Sequence, residues 1–255
     1  MMHSNTFRSA VAALTLGLMG SAIAAERVVD MQKQATGGKD RDAYPRIAAP
    51  ADDAEKRIDA AVARLDARLV QGVAECRRNV GGKADWTRTI EVTMRGPRYL
   101  SYLVTDNAYC GGAHPNVGMT AIVYDLTTGA PVDWTKLLPP QLAGGVALNE
   151  TMDGTRMVTL SSRRLYDLYM RQYRQGDRAT DKDCIEAMEQ AGAEAPPAMT
   201  PWLDARTGGL GVQFDTAHAV EACADPLVLP LATLRAENTP APTLQAIEAA
   251  HAAWK

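Results

Sequence analysis

The sequence predicts an α+β fold in which helices pack on an antiparallel sheet. Three observations support this: a long segment of helical periodicity, a run of strand-patterned segments after it, and short connections between those strands. Strands joined by such short connections pair antiparallel, because a parallel pair needs a long crossover. The 255 residues are enough for one such domain, which we expect to span residues 52–238.

The first 24 residues are predicted to be an export signal. Arg8 supplies positive charge, residues 10–18 form a short apolar core, and cleavage is expected near Ala24 or Ala25. The apolar run is too short for a membrane anchor, so no membrane span is expected in the mature chain. The predicted location is therefore periplasmic or secreted.

The segment between the signal and the domain, residues 25–51, shows no hydrophobic periodicity and is expected to be a linker or a loosely docked arm. A helix is then predicted to begin at Asp52 or Asp53 and to end at Gly81-Gly82. An aspartate at its start suits the N-cap and the positive end of the helix dipole. One face of this helix is apolar and carries Ile58, Val62, Leu65, Leu69, Val73 and Cys76.

Three strands are predicted next, from an alternating pattern at 90–94, a segment at 99–105 and a segment at 119–126. A glycine-rich loop around residues 109–116 joins the last two. Further along, a helical or turn segment is predicted at 134–138, and helices are predicted from Leu160 to Tyr173 and at 184–190. A loop is expected at 195–201, strands at 210–214 and 226–231, and a tail with a short Ala-rich helix at 239–255.

Charge and cysteine spacing exclude several function classes. The net charge is −3, and removal of residues 1–24 takes away only Arg8 among the charged residues, giving −4. Nucleic-acid-binding proteins usually carry a basic face, so no nucleic-acid partner is expected. No Cys-x-x-Cys pair occurs, which argues against a zinc or redox-active site.

Four cysteines in an oxidising compartment favour two disulfides. Three disulfide pairings are possible among the four, which are Cys76, Cys110, Cys184 and Cys223. We favour Cys76 with Cys110 and Cys184 with Cys223, because sequential pairing links each cysteine to its nearest elements. Free buried thiols are the alternative.

His114 is the candidate for chemistry, and it has two interpretations. It could act as a general base or a ligand on a rigid loop. Alternatively, its imidazole bonds nearby backbone and fixes the loop, as Asn116 can also do. We favour the architectural role, because no Ser, Cys or second His lies near it in sequence to complete a catalytic group. No catalytic residue, metal site or cofactor is predicted.

The loop also carries a family resemblance. The loop has the pattern Tyr-x-Gly-Gly-Ala-His-Pro-Asn, which includes Tyr109, Gly111, Gly112, His114, Pro115 and Asn116. Two further motifs follow it, Tyr-Asp-Leu-x-Thr-Gly at 124–129 and Trp-Thr-x-Leu-Leu at 134–138. This order resembles the extracytoplasmic domain family shared by the anti-sigma factor RsiV and the peptidoglycan deacetylase PdaC. The resemblance covers about residues 86–235. It implies an α+β fold with an antiparallel sheet, and it makes the loop a family motif.

The same resemblance sets the functional expectation. In RsiV such a domain binds lysozyme, and in PdaC it accompanies a separate catalytic domain. We therefore expect an exported, non-catalytic binding module of the cell envelope. Its partner would be a cationic cell-wall-active protein such as lysozyme, or peptidoglycan. The alternatives are a periplasmic hydrolase that combines His114 with a distant carboxylate, and a purely structural envelope protein.

Overall fold

The computed structural model describes residues 27–35, 38–216 and 218–254. The predicted export signal and its cleavage region lie outside these residues. Within them, antiparallel sheets and helices form the α+β fold that the sequence predicts, which confirms the fold class. In the same ranges, no helix combines the length and the apolar character needed to cross a membrane.

The first half of the chain forms a three-stranded meander covered by one long helix. Its elements are β1 (Met31–Gln32), β2 (Arg46–Ile47), α1 (Asp53–Val80), a 3₁₀ turn (Gly81–Lys83), β3 (Asp85–Arg95), β4 (Tyr99–Tyr109) and β5 (Asn116–Asp125). β1 and β2 pair with each other, and the sheet order is β3-β4-β5, with both pairs antiparallel. Ile58 and Val62 of α1 pack on Tyr102 and Val104 of this sheet.

The second half forms a five-stranded antiparallel sheet in the order β10-β9-β8-β7-β6. Its elements are α2 (Trp134–Leu137), α3 (Pro140–Ala143), β6 (Gly145–Glu150), β7 (Arg156–Ser161), α4 (Arg163–Tyr173), α5 (Lys182–Ala191), β8 (Met199–Asp204), β9 (Gly209–Phe214), a 3₁₀ turn (His218–Cys223), β10 (Leu227–Pro230), α6 (Leu231–Ala236) and α7 (Ala241–Ala253).

The five-stranded sheet has a different neighbour on each face. One face packs on the three-stranded sheet, where Thr93 Oγ1 donates to the Leu203 carbonyl at 2.8 Å. The other face packs on α4, with the rings of Tyr169 and Phe214 4.2 Å apart between centroids. Apolar side chains from both contacts form one continuous core.

Two local predictions are wrong, and both concern this second sheet. Leu160 was expected in a helix but lies in β7, because Ser162 accepts a hydrogen bond from Leu165 N and starts α4 only after it. Residues 199–201 were expected in a loop but belong to β8, whose six residues are all buried. A strand buried on both faces shows no alternation and is easily missed from sequence.

Segments outside the predicted 52–238 domain also enter the cores. Val29, Tyr44 and Ile47 from the expected arm pack with α1, and Ile247 of α7 is fully buried. Packing alone does not show which segments fold independently, so the domain boundaries stay a prediction.

Candidate functional site

A cleft of about 310 Å³ lies between the two sheets, at the end where β5 begins. One wall is formed by β5 residues 116–120 and the facing part of β4. The other walls are residues 149–152 of the β6–β7 hairpin and residues 213–216 at the end of β9. A hollow of this size, with polar groups converging on it, is the usual form of a binding site.

The predicted motif loop lies at the mouth of this region, between Tyr109 and Asn116. Tyr109 Oη donates to the Gly112 carbonyl at 3.1 Å and closes the loop. Gly111 and Gly112 have φ values of 108° and 94°, which favour glycine over other residues. A side chain on Gly111 would also meet Val80 of α1. The backbone conformation of the loop therefore explains why both positions carry glycine.

The motif residues divide between the loop and the cleft. Asn116 lines the cleft, whereas His114 and Pro115 are exposed on the loop. Within the described part of the chain, the residues that line the cleft include no histidine. The cleft is therefore built mainly from residues that the sequence did not single out.

The two disulfides join the pairs that sequential connectivity favours. Cys76 of α1 is bonded to Cys110, which fixes the first residue of the loop to the long helix. Cys184 of α5 is bonded to Cys223 at the end of the 3₁₀ turn that follows the cleft wall. Each bond therefore restrains a segment that borders the cleft.

One wall of the cleft is held by a buried ion cluster. Arg88 of β3 makes a bidentate contact with Asp106 of β4, at 2.7 Å from Nε and 2.6 Å from Nη2. The same Nη2 lies 2.8 Å from Asp153, which sits in the β6–β7 turn. All three side chains are buried. The cluster thus ties the hairpin to the three-stranded sheet.

The carboxylates of the cluster are also hydrogen-bonded by neutral groups. Trp86 Nε1 donates to Asp106, and Thr151 Oγ1 and Thr155 N donate to Asp153. Burial alone would raise the pKa of Asp153, but the hydrogen bonds from Thr151 and Arg88 outweigh it and lower this pKa below its usual range. Asp153 therefore stabilises the fold in its ionised form.

Acid should destabilise the protein through this group. Because the pKa of Asp153 is lower in the folded than in the unfolded chain, its contribution is complete above the unfolded pKa of about 4 and is lost as the pH falls through the folded value. Asp125 follows the same direction, since hydrogen bonds from Thr127 and Arg98 outweigh burial and lower its pKa.

Urea unfolding from pH 7 down to pH 3 should show a steady loss of unfolding free energy below about pH 5. A rise in stability over that interval would contradict the assignment, and Asp153→Asn should flatten the curve.

The titratable groups that line the cleft are acidic. They are Asp106, Glu150, Asp215 and Glu221, and the described lining residues include no lysine or arginine. Arg88 offsets the charge of Asp106, and Arg156 lies 4.0 Å from Glu150 at the exposed rim. An ion pair at that distance and exposure is weak, so Glu150 keeps most of its negative charge at the rim of the cleft.

Two polar atoms in the cleft wall have no hydrogen-bond partner among the described residues. They are Gln213 Oε1 and Thr216 Oγ1, both buried. Gln213 Nε2 donates to the Ala224 carbonyl at 2.8 Å, which orients the amide and leaves Oε1 as an acceptor. Buried polar atoms without partners are costly, so each needs a partner from water or from a ligand.

Other parts of the described structure are weaker candidates for a binding site. A wider hollow of about 500 Å³ lies near Ile90, Val92 and Trp254, but none of the unpartnered buried polar atoms of the described residues lines it. In the same described ranges, no three His, Cys, Asp or Glu side chains are grouped so as to hold a metal ion. The cleft is the stronger candidate.

Comparison with known proteins finds similar solved structures. No family model matches the chain, and no curated protein sequence matches it. A member of the DUF3298 family from Bacteroides fragilis is similar over 80% of this chain and 75% of its own, with 18% identity and a TM-score of 0.45. A DUF3298 family protein from Pseudomonas aeruginosa is similar over 83% of this chain and 94% of its own, with 13% identity and a TM-score of 0.48.

Proposed function

We propose that this chain is an exported, non-catalytic binding module of the cell envelope, of the kind shared by RsiV and PdaC. In this proposal the cleft binds a cationic cell-wall-active protein such as lysozyme. The observation that supports this proposal is the acidic lining of the cleft. The described lining residues include carboxylates but no lysine or arginine, and two polar atoms of the lining have no hydrogen-bond partner among the described residues.

Charge favours a protein over the glycan as the partner. A negative cleft attracts a cationic surface and speeds its approach, whereas stem peptides of peptidoglycan carry carboxylates that such a cleft repels. The size of the cleft also suits a protruding segment of a larger partner. The two disulfides agree with an oxidising compartment outside the cytoplasm.

The motif loop supports the site in this proposal without taking part in chemistry. It joins the two strands that form one wall, and Cys110 anchors it to α1. The histidine of the loop is then an exposed residue two positions before Asn116, which lines the cleft.

Binding of lysozyme is the direct test. Calorimetric titration should give a micromolar or tighter complex that weakens between about 0.05 M and about 0.3 M salt, because exposed charge contacts are screened. Asp215→Asn and Glu150→Gln should each weaken binding about two- to fivefold, as expected for charges at a rim. Residual lysozyme activity, measured in parallel, shows whether the bound segment includes the active site of the partner.

A matched control separates the cleft from overall charge. Asp167 is an exposed acid on α4, on the opposite side of the five-stranded sheet. Asp167→Asn removes the same charge and should leave the affinity unchanged. If lysozyme does not bind at about 50 µM, or if peptidoglycan sediments the protein and lysozyme does not compete, the proposed partner is wrong.

A further inference from the structure

The first half of β5 is a free sheet edge inside the cleft. β5 is the last strand of its sheet, and β4 pairs with one side of it only. The consecutive residues 116–120 all line the cleft, so the edge of the strand, not one of its faces, borders the space. An unpaired edge presents a row of backbone donors and acceptors.

The second half of the same edge is already covered. Val132 N donates to the Val123 carbonyl, and Asp125 N donates to the Ala130 carbonyl, both at 2.9 Å. An isolated bridge joins Tyr124 to Pro131. Residues 116–119 therefore form the accessible part of this edge in the described structure, since Thr120 and Ala121 are buried, and every second residue there points its N–H and C=O away from β4.

Gly118 lies in the middle of this open stretch. A Cβ built on it would meet nothing within 4 Å, and its φ lies outside the left-handed region. Neither local crowding nor backbone strain therefore calls for glycine at this position. Glycine within a strand often marks a place where another backbone approaches closely.

We propose that an extended, basic segment of the partner protein adds as a strand to β5 at residues 116–119. This inference rests on the proposed function, in which the cleft is the recognition site. Main-chain hydrogen bonds to β5 give the affinity, and alternate side chains of the added segment give the specificity. Two such strands lie about 4.8 Å apart, a distance that only an uncluttered edge allows.

The surroundings of the edge fit basic side chains in the added segment. Glu150 and Asp215 lie on the walls across from β5. Gln213, whose Oε1 has no hydrogen-bond partner among the described residues, lies in the same lining. Val117 and Met152, exposed at 47% and 44%, give apolar contact for the stems of such side chains.

A short peptide tests this mode separately from lysozyme binding. The probe is a seven-residue peptide of alternating lysine and threonine, with fluorescence anisotropy as the readout. Its control has the same sequence with N-methyl groups on alternate backbone amides, in both registers. The unmodified peptide should bind, and methylation of the amides that face β5 should weaken binding at least tenfold, because those donors are lost.

Substitution in the protein gives the second readout. Gly118→Leu adds a side chain on one face of β5 and should weaken peptide binding, because that side chain crowds the neighbouring side chains of the bound strand, while the thermal midpoint stays unchanged or rises. Gly82→Leu is the matched control, since a Cβ there also meets nothing within 4 Å and the residue lies in the 3₁₀ turn after α1. This control should bind the peptide as the wild type does.

Hydrogen exchange locates the added strand. Amides within residues 116–119 should gain protection when the peptide binds. Protection at 145–150, the free edge of the other sheet, or equal binding of the methylated peptides overturns the inference.

If lysozyme binds but the peptide does not, strand addition is wrong and the proposed function stands. If the peptide binds but lysozyme does not, strand addition stands and the proposed partner is wrong.

Discussion

Replacement of Arg88 by methionine should lower the unfolding free energy by about 3–5 kcal/mol, the usual cost of breaking a buried ion pair from one side. Arg88 is 4% exposed and is bonded to two buried carboxylates, Asp106 and Asp153. Without the guanidinium, two largely buried negative charges would lie close together with no counter-charge between them. The cost is large because burial penalises each charge and the two also repel each other.

The pH dependence of this loss distinguishes a charge effect from a packing effect. In the wild type, the lowered pKa of Asp153 makes acid destabilising. In Arg88→Met, burial without a counter-charge favours the protonated carboxyl, so acid should relieve the penalty. The difference in unfolding free energy between the two proteins should therefore shrink from pH 7 to pH 4. A difference that stays constant with pH would show that the loss comes from packing.

Arg78→Met is the matched control for this substitution. Arg78 pairs with Glu75 at 3.5 Å, and both side chains are more than half exposed. An exposed pair contributes about 0–1 kcal/mol, so this variant should unfold close to the wild type. Arg88→Met should also weaken binding in the cleft, since the hairpin that forms one wall is tied to the sheet through Arg88.

The elements that sequence predicted well are those with local causes. The helix α1 shows its apolar face at helical spacing and stops at two glycines, and the meander follows from alternation and short turns. The strands β6 and β7 were not predicted. β6 is exposed on both faces, so it shows no alternation between buried and solvated positions.

The cleft was not predicted, because it is made by distant segments, but part of its support left a signal. Arg88 alternates with Trp86 and Ile90 along an otherwise apolar face of β3. Asp106 takes the same kind of position after Val104 on β4. Opposite charges at two inward strand positions indicate a buried pair. Asp153 lies in a turn 65 residues from Arg88, and no local pattern marks it.

Removal of the Cys76–Cys110 bond should lower the unfolding free energy by about 3–4 kcal/mol, as the loop-closure estimate gives for a ring of this size. The bond joins residues 34 apart in sequence. Its loss releases the unfolded chain from that constraint. The double variant Cys76→Ala, Cys110→Ala is preferable to serine, because alanine adds no new hydrogen-bonding group at the buried Cys76 position. Urea unfolding gives the difference, with the slope fitted separately for each variant because loss of the crosslink expands the unfolded chain.

The second disulfide provides an internal comparison that separates unfolded-chain entropy from local support. Cys184 and Cys223 are 39 residues apart, so chain entropy alone predicts costs for the two bonds that agree within about 0.2 kcal/mol. The Cys76–Cys110 bond also anchors the loop that joins β4 to β5. If the Cys76–Cys110 bond supports the cleft as well as the fold, its removal should speed hydrogen exchange at residues 110–118 under native conditions. The double variant Cys184→Ala, Cys223→Ala should leave exchange at those residues unchanged. Equal exchange in both variants would mean that the disulfide at the loop stabilises the chain without shaping the site.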